Sequence, residues 1–239
     1  MTRNTTSPGL TGNDTGQAKT LTLEVYERLR VDIRSGILSP GVPLRMEWLK
    51  TNYNVGATPL REALSRLAAE YLVTSEGKRG FRVALVSLQE YKELISLRNN
   101  IEHQALGSAV RLVDDDWEAE IVGALHRLIK APDGSGVNNT DAVEEREKRH
   151  RAFHVSLITA CDSTWLLRIW WHMTAHLERY SRVALRGVVK TEERARQIEQ
   201  EHRDIADAVL RRDAEAASVL QREQRRDLEK NVNQWASQI

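Results

Sequence analysis

The sequence has a single cysteine, Cys161, and this scarcity excludes a disulfide within the chain. One free thiol favours a reducing compartment, so we expect the protein in the cytoplasm. No apolar run approaches the roughly 20 residues that a membrane-spanning helix needs, and the N-terminal segment lacks the apolar core of a signal peptide. The sequence also lacks a nucleophile elbow and a glycine-rich phosphate loop. These absences argue against a membrane protein and against an enzyme.

The charge of the chain is unevenly distributed. The net charge is only +1, but residues 18–86 hold eleven Lys and Arg against seven Asp and Glu. The chain beyond residue 86 therefore carries a small negative excess. A basic N-terminal part fits nucleic-acid binding that is confined to this part. The length of 239 residues, with 41% apolar residues, suffices for one large or two ordinary domains.

The segment Leu44–Tyr71 predicts two helices joined by a short turn. The first covers Met46–Tyr53, and the second opens with Thr58 as the predicted N-cap and Pro59 in the first helical position. The second helix carries one apolar stripe, formed by Leu60, Ala63, Leu64, Leu67 and Ala68. Arg61 lies off this stripe, near the start of the helix. Two short helices with cations near the start of the second are typical of a helix-turn-helix.

A predicted β-hairpin follows the helix pair, at Glu70–Leu85. Its tip, Glu76–Gly80, is bounded by glycine and carries two cations. Helix pairs occur in any helical domain, so the pair alone is weak evidence for DNA binding. A helix-turn-helix with a basic hairpin after it predicts a winged helix.

The chain is therefore predicted to be mainly α-helical and to have three parts. Residues 1–17 lack periodicity and predict a disordered tail. Residues 18–86 form the winged helix-turn-helix, a helical module with a small β-hairpin wing. Residues 87–239 form an all-α helical bundle. The helices of the bundle are predicted at 88–112, 114–128, 141–160, 163–185, 192–211 and 213–235.

Three histidines of the bundle are predicted to point inward. His150 and His154 are four residues apart and share a helix face with apolar neighbours, and His202 lies in another apolar stripe. Imidazoles that converge inside a bundle have the chemistry of a transition-metal site. The alternative interpretation is that these histidines are ordinary core residues, paired with polar neighbours.

The sequence resembles the GntR family of bacterial transcription regulators. The resemblance rests on GILSPGVPLRMEWL, GATPLREALSRLAAEYLV and GKRGFRV in the N-terminal part. The C-terminal part resembles the FCD domain of the FadR-like subfamily, through RNNIEHQALGSA, HRAFH and EHRDIADAVLRRDAEAA. The resemblance covers almost all of the chain beyond residue 18. Within the subfamily, the motifs RHRAFH and ATPLREAL are most similar to regulators of the carbon-starvation type.

The resemblance implies DNA contacts at the start of the second helix and in the wing. The implied residues are Thr58, Arg61, Gly77 and Lys78. One position departs from the family, which commonly has Ser-Arg where this chain has Gly56-Ala57. Without that arginine, either the operator differs from the usual half-site or Arg45 and Arg66 compensate. The other interpretation of each arginine is a solvated helix face.

The resemblance also implies a ligand set inside the bundle. The family's metal ligands map to His150, His154, His202 and Gln224, so a histidine replaces the usual aspartate and a glutamine replaces the last histidine. A divalent ion such as zinc or nickel would then be held by the three histidines, or the same residues would hydrogen-bond an effector. Arg98 matches a family arginine, which could hold an effector carboxylate or pair with Glu102. The effector-binding residues predicted on this basis are Arg98, His154, His202 and Gln224.

These observations predict an effector-responsive DNA-binding regulator. By resemblance it is a repressor, which binds a palindromic operator as a homodimer and is released by a small ligand such as an organic acid. One alternative is a metal-sensing regulator in which the ion is the effector. A metalloenzyme that uses the histidine cluster is the third hypothesis, and it lacks a candidate general base.

Overall fold

The computed structural model describes residues 14–112, 114–132, 140–184 and 191–236. The chain divides after Val86 into two compact units. The N-terminal unit contains helices α1 (Asp14–Arg34), α2 (Met46–Tyr53) and α3 (Ala57–Ala69), and strands β1 (Pro43–Leu44), β2 (Val73–Ser75) and β3 (Phe81–Val83). The C-terminal unit contains helices α4 (Leu88–Leu112), α5 (Asp115–Ile129), α6 (Thr140–Ser156), α7 (Thr164–Ala184), α8 (Glu192–Leu210) and α9 (Ala214–Ala236).

The predicted helix-turn-helix is confirmed in the N-terminal unit. Asn54 ends α2 in the left-handed conformation, with φ of 52°, which asparagine tolerates better than most residues. This residue lets the chain reverse into α3 within a few residues. The apolar faces of α1, α2 and α3 then share one core, formed by Val25, Leu29, Ile33, Leu49, Tyr53, Leu60, Leu64 and Leu67 among others.

The wing is an antiparallel sheet with the strand order β1-β3-β2. Val73 lies opposite Val83, and Ser75 lies opposite Phe81. The tip contains a 3-10 turn over Gly77–Arg79 rather than a tight two-residue hairpin loop. Strand β1 was not predicted, since a pair of residues carries no periodicity that could indicate a strand.

The C-terminal unit has no strand in the residues that the structure describes and is a helical bundle, as predicted, with a short 3-10 helix over Thr159–Cys161 between α6 and α7. The core takes residues from every helix, including Ile101, Leu106, Trp117, Ile121, Phe153, Leu157, Trp170, Met173, Ile205, Val209 and Ala217. Side chains cap several of the helices: for example, Asp114 accepts from the Trp117 amide and Asp213 from the Ala216 amide, each at 2.9 Å. None of the described helices is long and apolar enough to cross a bilayer.

Three predicted boundaries differ from the structure by more than one residue. Helix α1 begins at Asp14, so the predicted tail at 1–17 is too long; residues 1–13 lie outside the described residues. The N-cap of α3 is Gly56 rather than Thr58, and Pro59 is tolerated because first-turn amides lack helical acceptors anyway. The predicted helix 141–160 ends at Ser156, where side-chain hydroxyls compete for the backbone: Thr159 donates to the Ser156 carbonyl at 3.1 Å.

Candidate functional site

The first turns of α3 present two of the predicted residues to solvent. Thr58 and Arg61 are exposed, while Leu60 and Leu64 beside them are buried. The N-cap position of α3 is taken by Gly56, and Thr58 lies inside the helix. The Thr58 hydroxyl is therefore not used to cap the helix. Within the described part of the chain, neither Thr58 nor Arg61 has a side-chain hydrogen bond or ion pair. This end of the helix therefore offers a hydroxyl, a guanidinium and the positive end of the helix dipole to a ligand.

The other two predicted arginines lie in different surroundings. The Arg66 guanidinium stacks over the Tyr26 ring, 4.3 Å from the ring centroid. Arg66 thus links α3 to α1, and part of its role is structural. Arg45 is exposed directly before α2, in extended backbone with φ of −69° and ψ of 124°.

The tip of the wing is held in shape by an arginine that the sequence analysis missed. Arg82 donates from Nε to Glu76 at 2.8 Å and from Nη1 to the Gly41 carbonyl. This hydrogen bond from Arg82 lowers the pKa of the Glu76 carboxyl. Gly77 adopts a positive φ of 60°, which favours glycine at this predicted contact. The backbone of Lys78 lies in the turn, and its side chain is outside the described side chains.

The three predicted histidines of the C-terminal unit converge. His150 and His154 on α6 face each other, with their Nε2 atoms 3.1 Å apart. His202 on α8 lies beside them, and one ring nitrogen from each histidine lies within 4.8 Å of the others. His154 and His202 are buried and His150 is half-buried. Phe153 packs against the rings of His154 and His202, at 5.3 Å between centroids in each case.

Burial keeps these imidazoles neutral. Desolvation, followed by nearby positive charge, holds the pKa of His150 and His154 well below the usual value, and burial lowers that of His202 to about 4. His202 donates from Nδ1 to the Ile198 carbonyl at 2.6 Å, which leaves the lone pair on Nε2. Neutral imidazoles with an available lone pair are what a transition-metal ion binds. The donor set therefore fits such an ion, with His150, His154 and His202 as its ligands.

Gln224 and Arg98 also reach this part of the bundle. The Gln224 amide nitrogen on α9 lies 3.2 Å and 3.3 Å from the two ring nitrogens of His202. Arg98 lies on α4, and its charge contributes to the lowered pKa of His150 and His154. The five predicted ligand residues thus come from four helices, α4, α6, α8 and α9.

Arg98 makes the ion pair with Glu102 that was one of its two predicted roles. Its Nε donates to Glu102 at 2.8 Å, and its guanidinium lies over the Trp170 ring. Within the described residues its Nη atoms have no hydrogen bond, so an edge of the guanidinium remains for a ligand. Glu102 also accepts from the Trp170 indole at 2.7 Å and from Arg225.

Arg225 was missed by the sequence analysis. It lies on α9 and donates to Asn99 at 2.6 Å as well as to Glu102. Two guanidinium charges more than offset the burial of Glu102, so that the pKa of its carboxyl is lowered to about 2. The sequence did offer one signal, since Arg225 lies next to the inward-facing stripe of the last helix. Its partners lie on a different helix, however, and spacing along one helix does not identify them.

Comparisons with known protein families agree with both halves of the chain. The profile described as "Bacterial regulatory proteins, gntR family" matches residues 21–83. The profile of the FCD domain matches residues 93–224. Together the two matches include every predicted DNA-contact residue and every predicted ligand residue.

Individual relatives cover most of the chain. The HTH-type transcriptional repressor GlaR of Escherichia coli is 36% identical over 203 residues, 84% of this chain and 90% of GlaR. The HTH-type transcriptional regulator BphR of Paraburkholderia xenovorans is 36% identical over 197 residues, 82% of this chain and 79% of BphR. These relatives are transcription regulators rather than enzymes.

Solved structures show the same fold at lower sequence identity. McbR/YncC of E. coli matches with a TM-score of 0.72 at 22% identity, covering 91% of this chain and 98% of that one. A putative GntR regulator from Rhodococcus matches with a TM-score of 0.67 at 20% identity, covering 90% and 98%. At these identities the likeness concerns the fold alone.

Proposed function

This chain belongs to the GntR family of bacterial regulatory proteins and carries an FCD domain, and we propose that it represses transcription by binding an operator that a small ligand makes it release. The repressor role is supported by the description of GlaR as a repressor. The proposal places the protein in the cytoplasm, together with the DNA that it binds.

The observation that carries the proposal is that the side chains at the start of α3 are exposed and make no contact within the described part of the chain. Thr58 and Arg61 are exposed and make no side-chain contact in the described part of the chain, although many other surface arginines here form ion pairs. A guanidinium at this position of a helix-turn-helix can pair with a guanine edge or a phosphate in the major groove. Gly77 and Lys78 of the wing and Arg45 are proposed to add contacts to the DNA backbone, and Arg66 to add a weaker one.

A homodimer is proposed as the binding species. One winged helix reads only a few base pairs, whereas two copies related by a two-fold axis read a palindrome with half-sites about one helical turn apart. Binding should weaken steeply with salt, because lysine and arginine release counterions from the phosphates.

The proposed effector is a small anion, such as a carboxylate, bound in the C-terminal unit. The free Nη edge of Arg98 can hold a carboxylate through two parallel hydrogen bonds. His154, His202 and Gln224 would contact the rest of the ligand. Release of the operator requires that the ligand bind more tightly to the state of the bundle that does not bind DNA.

A second candidate function follows from the cluster of three histidines. Their nitrogens lie within 4.8 Å of one another and are neutral at physiological pH. In this version a divalent ion such as zinc or nickel is itself the effector. Release of DNA by the ion in the absence of any organic ligand would distinguish a metal sensor from a sensor of small acids.

Gel-shift titration with genomic fragments that span the protein's own promoter tests the proposal. We expect a retarded complex at low salt, and footprinting should show a protected palindrome. Arg61→Ala should weaken this binding by about 10- to 100-fold, the cost of one base contact of 1–3 kcal/mol. Arg222→Ala, an exposed arginine of the C-terminal unit, is the matched control and should leave the affinity unchanged.

Two results would contradict the proposal. One is the absence of any retarded fragment at low salt with folded protein. The other is an Arg61→Ala variant that binds as tightly as the wild type, which would mean that α3 does not enter the groove.

A further inference from the structure

A groove runs between α4 and α9, beside the ion pairs of Glu102. Its walls carry polar side chains from both helices, namely Asn99, His103, Ser218, Gln221, Arg222 and Arg225. It opens to solvent next to Glu215. Among the described residues, none of those proposed for the metal or the effector lines this groove. The groove is therefore a separate place for a ligand.

The buried end of the groove holds an amide without a partner. Gln221 is only 2% exposed, and its Nε2 atom has no hydrogen bond among the described residues. A buried donor that lacks an acceptor costs stability. A methionine would fill the same space without this cost. An acceptor that comes from outside the chain would explain the amide.

Asn99 offers a second donor to the groove. Its Oδ1 accepts from Arg225 at 2.6 Å. Because a guanidinium can only donate, this contact fixes the orientation of the Asn99 amide and leaves Nδ2 for another partner. The groove thus offers a donor from each helix, Nδ2 of Asn99 and Nε2 of Gln221.

The cation at the mouth of the groove is weakly paired. Arg222 is 42% exposed, and its guanidinium lies 3.7 Å from the Glu215 carboxylate. Glu215 is 70% exposed and lies equally far from His103, at 3.7 Å. Exposed ion pairs of this kind contribute little stability. A ligand with a negative charge can therefore take the place of Glu215 beside Arg222.

The acidic residue inside the groove is already neutralised. Glu102 is buried and forms ion pairs with Arg98 and Arg225, so its charge does not stand unpaired against an anion. Arg225 donates both to Glu102 and to Asn99. A ligand held by Asn99 would thus be linked through Arg225 and Glu102 to Arg98, which is proposed to hold the effector.

We propose that this groove is a second ligand site, which binds a small oxyanion such as phosphate or a carboxylate. The oxygens of the anion accept from Nε2 of Gln221 and from Nδ2 of Asn99. Arg222 supplies the positive charge, and a guanidinium makes some of the stronger hydrogen bonds to oxyanions in proteins. The site goes beyond the proposed effector site, and its existence does not depend on operator binding.

Titration of the full-length, nitrogen-15-labelled protein with inorganic phosphate, and separately with acetate, tests this inference. The side-chain amide signal of Gln221, assigned by its loss in Gln221→Met, should shift with a dissociation constant of about 1 mM or below. The anion that binds more tightly identifies the class of ligand. Arg222→Ala should weaken binding by about 10-fold. Arg226→Ala is the matched control, an exposed arginine of α9 outside the groove, and should change the affinity by less than about 2-fold.

Two further variants change the donors and the competing charge. Glu215→Gln removes the carboxylate that competes for Arg222 and should tighten binding by about 2- to 5-fold. Gln221→Met removes one donor and should weaken binding by about 10-fold, followed by the side-chain amide signal of Asn99. The melting temperature of Gln221→Met should not fall, because the amide loses no partner within the chain.

Several results would overturn the inference. One is the absence of any shift at Gln221 with either anion up to about 10 mM. Equal weakening in Arg222→Ala and Arg226→Ala would show attraction by the overall charge alone. A shift at Gln224 without one at Gln221 would place the anion in the proposed effector site, and a lower melting temperature of Gln221→Met would mean that its amide is already bonded. Gel shifts on the same preparations test the regulator independently.

Discussion

The two compact units differ in what they bury. In the N-terminal unit, Thr22 and the hydroxyl-bearing Tyr26 and Tyr53 are the only polar side chains among the buried residues that the structure describes. The buried set of the C-terminal unit includes Glu102, His154, Thr174, His176, Arg179, His202, Ser218 and Gln221. A polar group is costly to bury unless it is bonded, so such a concentration fits the effector site proposed for this unit. The N-terminal unit keeps an apolar core and presents the proposed DNA contacts on the surface.

This contrast explains how the two proposed activities coexist in one chain. DNA is large and highly charged, and it can be read only from an exposed face with free cations. A small effector or an ion is bound more strongly where water is excluded and the charges are preorganised. The following variants test the contrast in order of decreasing expected effect.

The largest effect is expected from removal of the buried carboxylate in Glu102→Ala. Arg98 and Arg225 would then be buried without their counterion, and breaking a buried pair typically costs about 3–5 kcal/mol of unfolding free energy. The corresponding change in the N-terminal unit is Glu62→Ala, which removes a surface acceptor of the Thr22 hydroxyl and should cost about 1 kcal/mol. Denaturant unfolding measures both, and equal losses would contradict the contrast.

The second effect concerns pH. The pKa of His202 is lowered to about 4 in the folded protein, whereas an unfolded histidine titrates near 6.5. Between these values the unfolded chain binds protons that the folded chain excludes, so stability falls as the pH drops from about 6.5 toward 4. A shift of this size corresponds to roughly 3 kcal/mol, and His150 and His154 act in the same direction.

The N-terminal unit is the internal control for this pH dependence. All seven histidines lie beyond residue 86, so its stability should change little over the same range. Hydrogen exchange of the full chain at pH 7, 6 and 5 can compare peptides from α3 with peptides from α8. A parallel loss of protection in both helices would show that the buried histidines are not the cause.

The same contrast accounts for what the sequence could predict. The surface position of Arg61 and the buried stripe with Leu60 and Leu64 follow from helical periodicity, which depends only on neighbours along the chain. The inward direction of His154 and His202 follows in the same way. The N-cap of α3 was predicted at Thr58 because threonine commonly caps helices. Glycine is also accepted at this position, and the helix begins two residues earlier, with Gly56 as its N-cap.

The contacts of Arg225 and Arg82 could not have been predicted in this way. Arg225 meets Glu102 across 123 positions of sequence, and Arg82 meets the Gly41 carbonyl across 41. Both pairings depend on how helices or strands pack against one another rather than on their own patterns. The partners of a charged residue in a core are therefore the part of a site that one sequence leaves open.

The smallest effect on stability is expected from Arg66, a cation of the N-terminal unit that packs on an aromatic ring. Arg66→Ala removes the stacking on Tyr26 and should cost about 0.5–1 kcal/mol of stability. Arg61→Ala, on the same helix but without a contact in the described residues, should change stability by less than about 0.5 kcal/mol. Operator affinity should follow the opposite order, with the greater loss in Arg61→Ala.

A double-mutant cycle isolates the stacking of Arg66. Arg66→Ala, Tyr26→Ala and the double variant should give a coupling energy of about 0.5–1 kcal/mol in thermal or denaturant unfolding. Tyr26 also donates its hydroxyl to Glu70 at 2.6 Å, and the cycle cancels this separate contribution. A coupling near zero, with a large loss of operator affinity in Arg66→Ala, would instead place Arg66 among the DNA contacts. The proposed distinction, in which exposed cations bind DNA and stacked cations hold the helices together, would then not hold for the two arginines of α3.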